Sequence, residues 1–550
     1  MKVLLAYRSE GGDLFTAAVP VGLGTLAAVL RQDGVDAVVA NYSGESWRAV
    51  QEHLAATRAD IVALSVFTHN RVASSKLARL AKELRSDCLV VCGGPHASFA
   101  ITELLAWPGV DAVVVGEGEE TLREVAALRR ARPGAVLPSG IAGLAVAAAT
   151  EGGANVQPVV PRAPITNLDD IPFPIDGLRG GHNIDLRQQA EFIITSRGCP
   201  SSCVFCSSPG FWGRGIRFRS AESVIRELGR LQRELGLLHF SIRDDTFTAN
   251  RQRAIEICRR IIDARLHILW TCQSRVSTVD EELLAWMKRA GCESIQFGVE
   301  SGSPRILQRL GKHIRPDQVR SAIAAARRVG LLVSVYLIVG VPGEAEADIV
   351  ATEKLLAEVR PHDGQVSPLA YFPGTALFRE AVASGAVRPS LFVDYAAPAL
   401  FVRSDPEVAQ MAQRLIAALK RGQQRAAYTP ADYTRQKQLL GYCHATNLQA
   451  GEWHALRGRW KAAQQEYEEI TRTEPGNPWG WLSLGELAAE RGDWRTAAAA
   501  FEQVHALVPN HLPVLYALAE VAAQASHRQV ANKWKRQAAL LATEGCEGRD

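Results

Sequence analysis

The pattern of apolar and polar positions changes character three times along the chain. Over residues 1–130, short runs of Val, Leu, Ile and Ala at 2–7, 36–41, 60–67, 88–94 and 111–118 lack polar alternation. That is the pattern of parallel strands covered on both faces. Amphipathic stretches such as GLGTLAAVLRQDG and RVASSKLARLAKELRS separate them, so this part predicts a doubly wound βαβ series. Such sheets bind ligands beyond the carboxyl ends of their strands. Ser65, Thr68, Gly93, Gly94, Gly116, Glu117 and Gly118 stand there, in turns that leave room for a large flat cofactor or a phosphate. Residues 131–185 are rich in Pro and Gly and predict a linker with a small hairpin around TEGGA at 150–154. From 186 to 400, strand and helix alternate again, with strands predicted at 191–196, 238–243, 267–272, 294–299, 332–338 and 363–371. Six βα units at this spacing predict a partial parallel barrel whose chemistry sits at the C-terminal strand ends. Residues 401–443 read as a helical connector. In 444–550, Gly451, Gly458, Trp460, Ala463, Tyr467 and Pro475 recur 34 positions later as Gly485, Gly492, Trp494, Ala497, Phe501 and Pro509. This is the tetratricopeptide pattern of paired helices, and a degenerate third unit follows it. The expected fold class is therefore α/β: a doubly wound domain, a partial (β/α)6 barrel and C-terminal α-helical repeats.

Composition narrows the function classes. With 62 basic and 58 acidic side chains the net charge is +4, which gives no reason to expect a nucleic-acid or membrane partner. The N-terminal apolar run is too short for a secretion signal, and no segment reaches the roughly 18 apolar residues of a membrane span. A cytoplasmic protein is expected. Of ten cysteines, Cys88, Cys92, Cys258, Cys272 and Cys292 lie in predicted strands and helices and read as buried apolar side chains; Cys443 and Cys546 are isolated.

Cys199, Cys203 and Cys206 differ in kind. They form C-x3-C-x2-C in a loop directly after a predicted strand. Three close thiolates can grip three irons of a cubane and leave the fourth iron open to a substrate's amino and carboxylate groups. A structural zinc needs a fourth ligand, and no nearby Cys or His stands at the usual pair spacing.

With this loop, residues 191–375 resemble the radical S-adenosylmethionine (SAM) superfamily. The arrangement over 1–375 is similar to its cobalamin-binding branch, which includes the anaerobic Mg-protoporphyrin ester cyclase-like enzymes. The stretches PVGLGTLAAVL, CGGPHAS, VVVGEGEE and LDDIPFP carry that second likeness. The resemblance implies a [4Fe–4S] cluster on the three cysteines, with SAM and cobalamin as further cofactors. It implies that Phe205 shields the cluster and helps to place the adenine. It sets Asp244 and Asp245 where relatives contact the methionine amino group, although the family more often has Gly-Gly-Glu there. Glu300, next to Ser301, falls in the ribose-contacting turn, where a carboxylate can accept from two vicinal hydroxyls. Gly340 and the stretch 371–375 match later turns. The loop after the first strand lacks the Asp-x-His-x-x-Gly of other cobalamin proteins, so no histidine from that loop is expected on cobalt. His69 and His96 are alternatives that read more readily as hydrogen-bonding residues.

The implied activity is radical methylation of an unactivated carbon in a small molecule or natural product. The reductant would be a flavodoxin or ferredoxin, and the C-terminal repeats offer a surface for a protein partner. Oxidative cyclisation or rearrangement without methyl transfer is the alternative on the same machinery. An adaptor with a vestigial enzyme domain is the alternative of another class.

Overall fold

In a computed structural model of the protein, all residues are described except 11–16, 149–154, 214, 395, 398 and 545–550. The first sheet holds seven strands: β1 (Lys2–Tyr7), β2 (Asp36–Asn41), β3 (Ile61–Ser65), β4 (Leu89–Gly93), β5 (Ala112–Val114), β6 (Leu144–Ala148) and β7 (Asn155–Val156). Their order is β2-β1-β3-β4-β5-β6-β7, with β1 to β5 parallel. The direction of winding reverses between β1 and β3, which opens a crevice at the carboxyl ends. The fifth strand ends earlier than its apolar run, because Gly116 turns the chain at φ +76°. The linker hairpin is not free-standing. Its strand β6 pairs antiparallel with β5 and extends the sheet, while its turn lies outside the described residues.

The second sheet is parallel, in the order β15-β14-β13-β12-β11-β8. It comprises β8 (Phe192–Ile193), β11 (His239–Ile242), β12 (Leu269–Ser274), β13 (Cys292–Glu300), β14 (Leu332–Val339) and β15 (Asp363–Pro368). The run expected at 191–196 divides in two. The Asp244 carboxylate accepts the N–H groups of Thr195 and Ser196 at 2.6 and 3.0 Å, which takes the chain out of the ladder after Ile193. Ser196 and Arg197 then form β9, which pairs antiparallel with β10 (Arg217–Phe218).

Three contacts seat the first sheet's unit on the barrel. The Phe99 ring lies where a Cβ on Gly374 would be only 2.3 Å away, and one on Gly210 3.0 Å away. The Arg71 guanidinium donates to the carbonyls of Phe392 and Ala397. The short linker helix Pro174–Leu178 bridges the two: a Cβ on Gly177 would meet the Gly24 carbonyl of helix Val21–Gln32 at 1.9 Å, and Arg230 of the barrel donates to the Asp176 carboxylate at 2.6 and 2.9 Å.

Six C-terminal helices from His444 to Glu544 form three antiparallel pairs. Gly451 and Gly485 lie against the rings of Tyr467 and Phe501, where a Cβ would clash at 2.2 and 2.5 Å. This explains the small residue at both repeat positions. These helices and the connector before them meet the amino ends of the barrel strands: Trp479 Nε1 donates to the His267 carbonyl and, from the connector, Tyr428 Oη to the Leu331 carbonyl, both at 2.7 Å. No helix among the described residues is long and apolar enough to cross a membrane.

Candidate active site

Two cavities open at the carboxyl ends of the two sheets, and they share a wall. The larger, about 610 Å³, lies between the doubly wound sheet and the barrel. Ser65, Gly93, Gly94 and residues 116–118 line one side; Ser196, Arg197, Phe211 and Trp212 line the other. Backbone shapes the first side. Gly94 sits at φ +104°, with room for no Cβ beside the Val66 carbonyl, whereas a Cβ on Gly116 would meet nothing within 4 Å. Largely apolar walls and turns without side chains are what a corrin's faces and rim require, so these residues fit the implied cobalamin.

Thr68 does not reach this cavity. It is buried, with Oγ1 3.1 Å from His96 Nδ1. His69 Nε2 lies 3.0 Å from Tyr7 Oη. No histidine among the described residues lines the cavity. Part of the loop after β1 lies outside the described residues. Glu117 does line the cavity, but its carboxylate is engaged by Arg197 Nη1 at 2.6 Å and Arg217 Nη1 at 2.8 Å.

The smaller cavity, about 170 Å³, is built from side chains, with thiols, carboxylates and cations among them. Cys199, Cys203, Cys206 and Phe205 line it together with Asp245 and Glu300. The cysteine loop is held by a glycine that nothing else could replace: a Cβ on Gly198, at φ +100°, would lie 2.4 Å from the Gly215 carbonyl. Thr246 Oγ1 lies 3.6 Å from Cys199 Sγ, and Arg275 Nη1 donates to Cys203 Sγ at 3.7 Å. Burial pushes the Cys206 thiol up to about 11, and the Asp245 carboxylate and the two other thiols push in the same direction. A thiolate there calls for a bound cation. No three Cys, His, Asp or Glu side chains among the described residues converge on a point suited to one metal ion. Three thiols facing one cavity are the donor set of a multi-iron group, and the residues fit a [4Fe–4S] cluster.

The acidic pair divides. Asp244 is buried, binding Thr195 and Ser196 and pointing away from both cavities. Asp245 lines both and accepts from the Ser208 hydroxyl. Burial raises the pKa of its carboxyl above the ordinary value; the Ser208 bond opposes this and Asp244 adds to it.

Glu300 takes a left-handed backbone at φ +65°, where β13 slips its register against β14. Such strain in a non-glycine residue marks functional turns. Its Oε1 accepts from the buried Lys312 Nζ at 2.7 Å. Gly298 makes room for this pair, since a Cβ there would stand 2.6 Å from both atoms. Arg275 also donates to the Lys312 carbonyl at 2.8 Å.

Ser301 and Gly340 are not brought to the cavity. The Ser301 hydroxyl lies 3.2 Å from Thr352 Oγ1, and the Gly340 N–H donates to the Glu344 carboxylate. Both are turn-forming residues here. Gln273, Arg275, Gln296, Lys312 and Tyr336 line the small cavity and went unread in the sequence. The only signal for them is position: Gln273 and Arg275 at the end of β12, Gln296 and Tyr336 within β13 and β14, and Lys312 in the loop after the helix that follows β13.

The Radical SAM superfamily profile matches residues 193–356, and the B12 binding domain profile matches 14–126. An uncharacterized methyltransferase of Pyrococcus horikoshii is 35% identical over 381 residues, covering 67% of this chain and 80% of that protein. The chain belongs to the B12-binding branch of the radical SAM superfamily. It is therefore an enzyme of cobalamin-dependent radical SAM type, with [4Fe–4S], SAM and cobalamin as its cofactors, and the adaptor alternative falls away.

Two further relatives of the enzyme differ in chemistry. The anaerobic magnesium-protoporphyrin IX monomethyl ester cyclase of Rubrivivax gelatinosus is 28% identical, covering 68% of each chain. The cytidylyl-2-hydroxyethylphosphonate methyltransferase of Streptomyces wedmorensis is 26% identical, covering 68% of this chain and 80% of that one. The fold matches that of the radical SAM methyltransferase TsrM from Kitasatospora setae, solved with cobalamin and a [4Fe–4S] cluster. Here the TM-score is 0.61 at 19% identity, covering 85% of this chain and 100% of that one.

Proposed function

We propose that the enzyme transfers a methyl group to an unactivated carbon of a small molecule or natural product. The observation that supports this reading is the wall common to the two cavities, formed by Cys206, Ser208 and Asp245. A substrate held there would face both cofactors at once. When bound, the reduced cluster supplies the electron that cleaves SAM, and methylcobalamin supplies the methyl group.

The chain's own residues bind and orient. Cys199, Cys203 and Cys206 hold three irons, with Arg275 hydrogen-bonded to the Cys203 sulfur. Phe205 covers the cluster beside the nucleotide. Asp245 accepts from the amino group of SAM, while Asp244 holds the backbone that carries the cysteine loop. Glu300, fixed by Lys312, accepts from the ribose hydroxyls. Residues Ser65, Gly93, Gly94, Gly116 and Gly118 bound the corrin, and Glu117 braces that boundary. We assign 1–130 and the added hairpin to the corrin-binding unit, 186–400 to the barrel, and 444–550 to tetratricopeptide repeats that could present a surface to a protein partner. A flavodoxin or ferredoxin of the cytoplasm would supply the electrons.

The similarity to the anaerobic cyclase favours a second reading, oxidative cyclisation without methyl transfer. Incubation with methyl-labelled SAM and a low-potential reductant separates the two. Label in the corrin fraction together with S-adenosylhomocysteine supports methylation. Formation of 5′-deoxyadenosine with no methyl transfer to corrin or substrate supports cyclisation and would overturn the first reading.

A further inference from the structure

In the wall of the large cavity lies a buried ionic junction of which the proposed roles use only Glu117. Arg197 stands two residues before Cys199 and spans two carboxylates of the other sheet's unit: Nη1 donates to Glu117 Oε1 at 2.6 Å and Nη2 to Glu119 Oε1 at 2.5 Å. Arg217, paired with Arg197 across β9 and β10, donates to both Glu117 oxygens at 2.8 Å. The Ile165 N–H completes the Glu117 carboxylate at 2.8 Å. Side-chain exposure is 12% for Arg197 and 7% for each glutamate, so solvent cannot replace a lost partner. Two cations and two anions balance, and the Trp212 ring lies beside the Arg197 guanidinium, 5.3 Å from its centroid.

Both ends of the junction are walls of the large cavity. Glu117 occupies the turn between Gly116 and Gly118, and Glu119 opens the helix that follows. At the other end, β9 leads straight into the cysteine loop. The Asp244 carboxylate holds the same two-strand corner by Thr195 and Ser196, next to Asp245. One planar side chain, each of its two terminal nitrogens held by a different glutamate, thus links the glycine turn to the residue two before the first cysteine.

We infer that Arg197, clamped between Glu117 and Glu119, couples corrin binding to cluster binding, so that each cofactor raises the affinity of the other. Arg197 acts as a positioning residue: it touches neither cofactor's reacting atoms but fixes the turn against the cysteine loop. Coupling of this kind is reciprocal, and the inference rests on the cofactor assignment above.

The test uses the full chain under anaerobic conditions. Hydroxocobalamin affinity is measured by spectral titration in two states, with the cluster reconstituted and with Cys199, Cys203 and Cys206 replaced by Ala. The expected ratio of the two dissociation constants is about fivefold or more in the otherwise native protein. In Arg197→Gln the ratio collapses toward unity, and in Glu119→Gln, where Arg197 keeps one carboxylate, it falls part of the way. Arg197→Lys, which keeps the charge but loses the fork, should behave as Arg197→Gln does. Far-ultraviolet circular dichroism identifies any variant that fails to fold, and Glu119→Gln, the mildest change, then carries the test. Binding of both cofactors with a ratio near unity in the native protein, or an unchanged ratio in the folded variants, overturns the inference while leaving the cofactor assignment standing. Failure to bind corrin or iron at all overturns both.

Discussion

The two cavities are built by opposite means. The large one is shaped by what is missing, with glycine turns at strand ends and apolar helix faces leaving a volume that side chains do not enter. The small one is shaped by what is present: thiols, carboxylates and buried cations, most of them held by a named partner. A cofactor recognised mostly by shape can be housed by backbone, whereas a cluster and a sulfonium nucleotide need donors and charges at fixed points. The contrast predicts different sensitivities. Single polar changes should cripple the small cavity, and added side-chain volume should damage the large one.

The sharpest break is at the thiols. Cys203→Ala should abolish reconstitution of the [4Fe–4S] absorption and with it reductive cleavage of SAM, leaving the helical content of the chain intact by circular dichroism. Next is the Glu300–Lys312 pair. Lys312→Met leaves a buried carboxylate without its cation, a loss of about 3–5 kcal/mol, read as a fall in melting temperature and in SAM affinity. Glu300→Gln removes a charge-assisted acceptor and should weaken SAM binding by about 1.5–3 kcal/mol in a titration; unchanged binding would remove Glu300 from the nucleotide site.

On the other side of the comparison, Gly94→Ala forces a Cβ into the Val66 carbonyl at a backbone angle that disfavours it. It should cost about 1–3 kcal/mol and lower corrin affinity without altering the cluster content of the corrin-free protein. Equal loss of both cofactors would mean that the cavities are not separable in this way.

The smallest effect lies far from either cavity, under the C-terminal helices. His444 sits buried and His267 half-buried near Glu474, and desolvation holds both below the ordinary imidazole value of 6.5, against the pull of that carboxylate. The folded state therefore binds protons less readily than the unfolded chain. Their contribution to stability is complete above that value and is lost as pH falls below it. Melting temperature should drop as pH falls from about 6.5 toward about 4, the value to which burial pushes His444, and His444→Leu should flatten the decline.

What could be read from the sequence follows the same division. Strand runs and glycine turns are local, and so are three thiols within eight residues; the doubly wound unit, the six-stranded barrel and the cysteine loop were all legible. Legibility ended where a role depends on the partner brought from afar. Asp244 and Asp245 are adjacent and chemically identical, and only the departure of the chain from the ladder at Thr195 decides that one braces while the other lines the site. Glu117 reads as a turn residue beside a ligand until Arg197 and Arg217 arrive from across the interface. Lys312 and Arg275 lie beyond their strands and acquire meaning only against Glu300 and Cys203. Ser301, Gly340 and Thr68 share the motifs' wording but serve the turns themselves.

The shared wall at Cys206, Ser208 and Asp245 is the feature on which the functional account stands, and spin coupling tests it directly. Pulsed electron paramagnetic resonance on the protein loaded with a reduced cluster and cob(II)alamin should give two signals broadened by mutual dipolar interaction. Two sharp, independent signals from a doubly loaded sample would contradict the account.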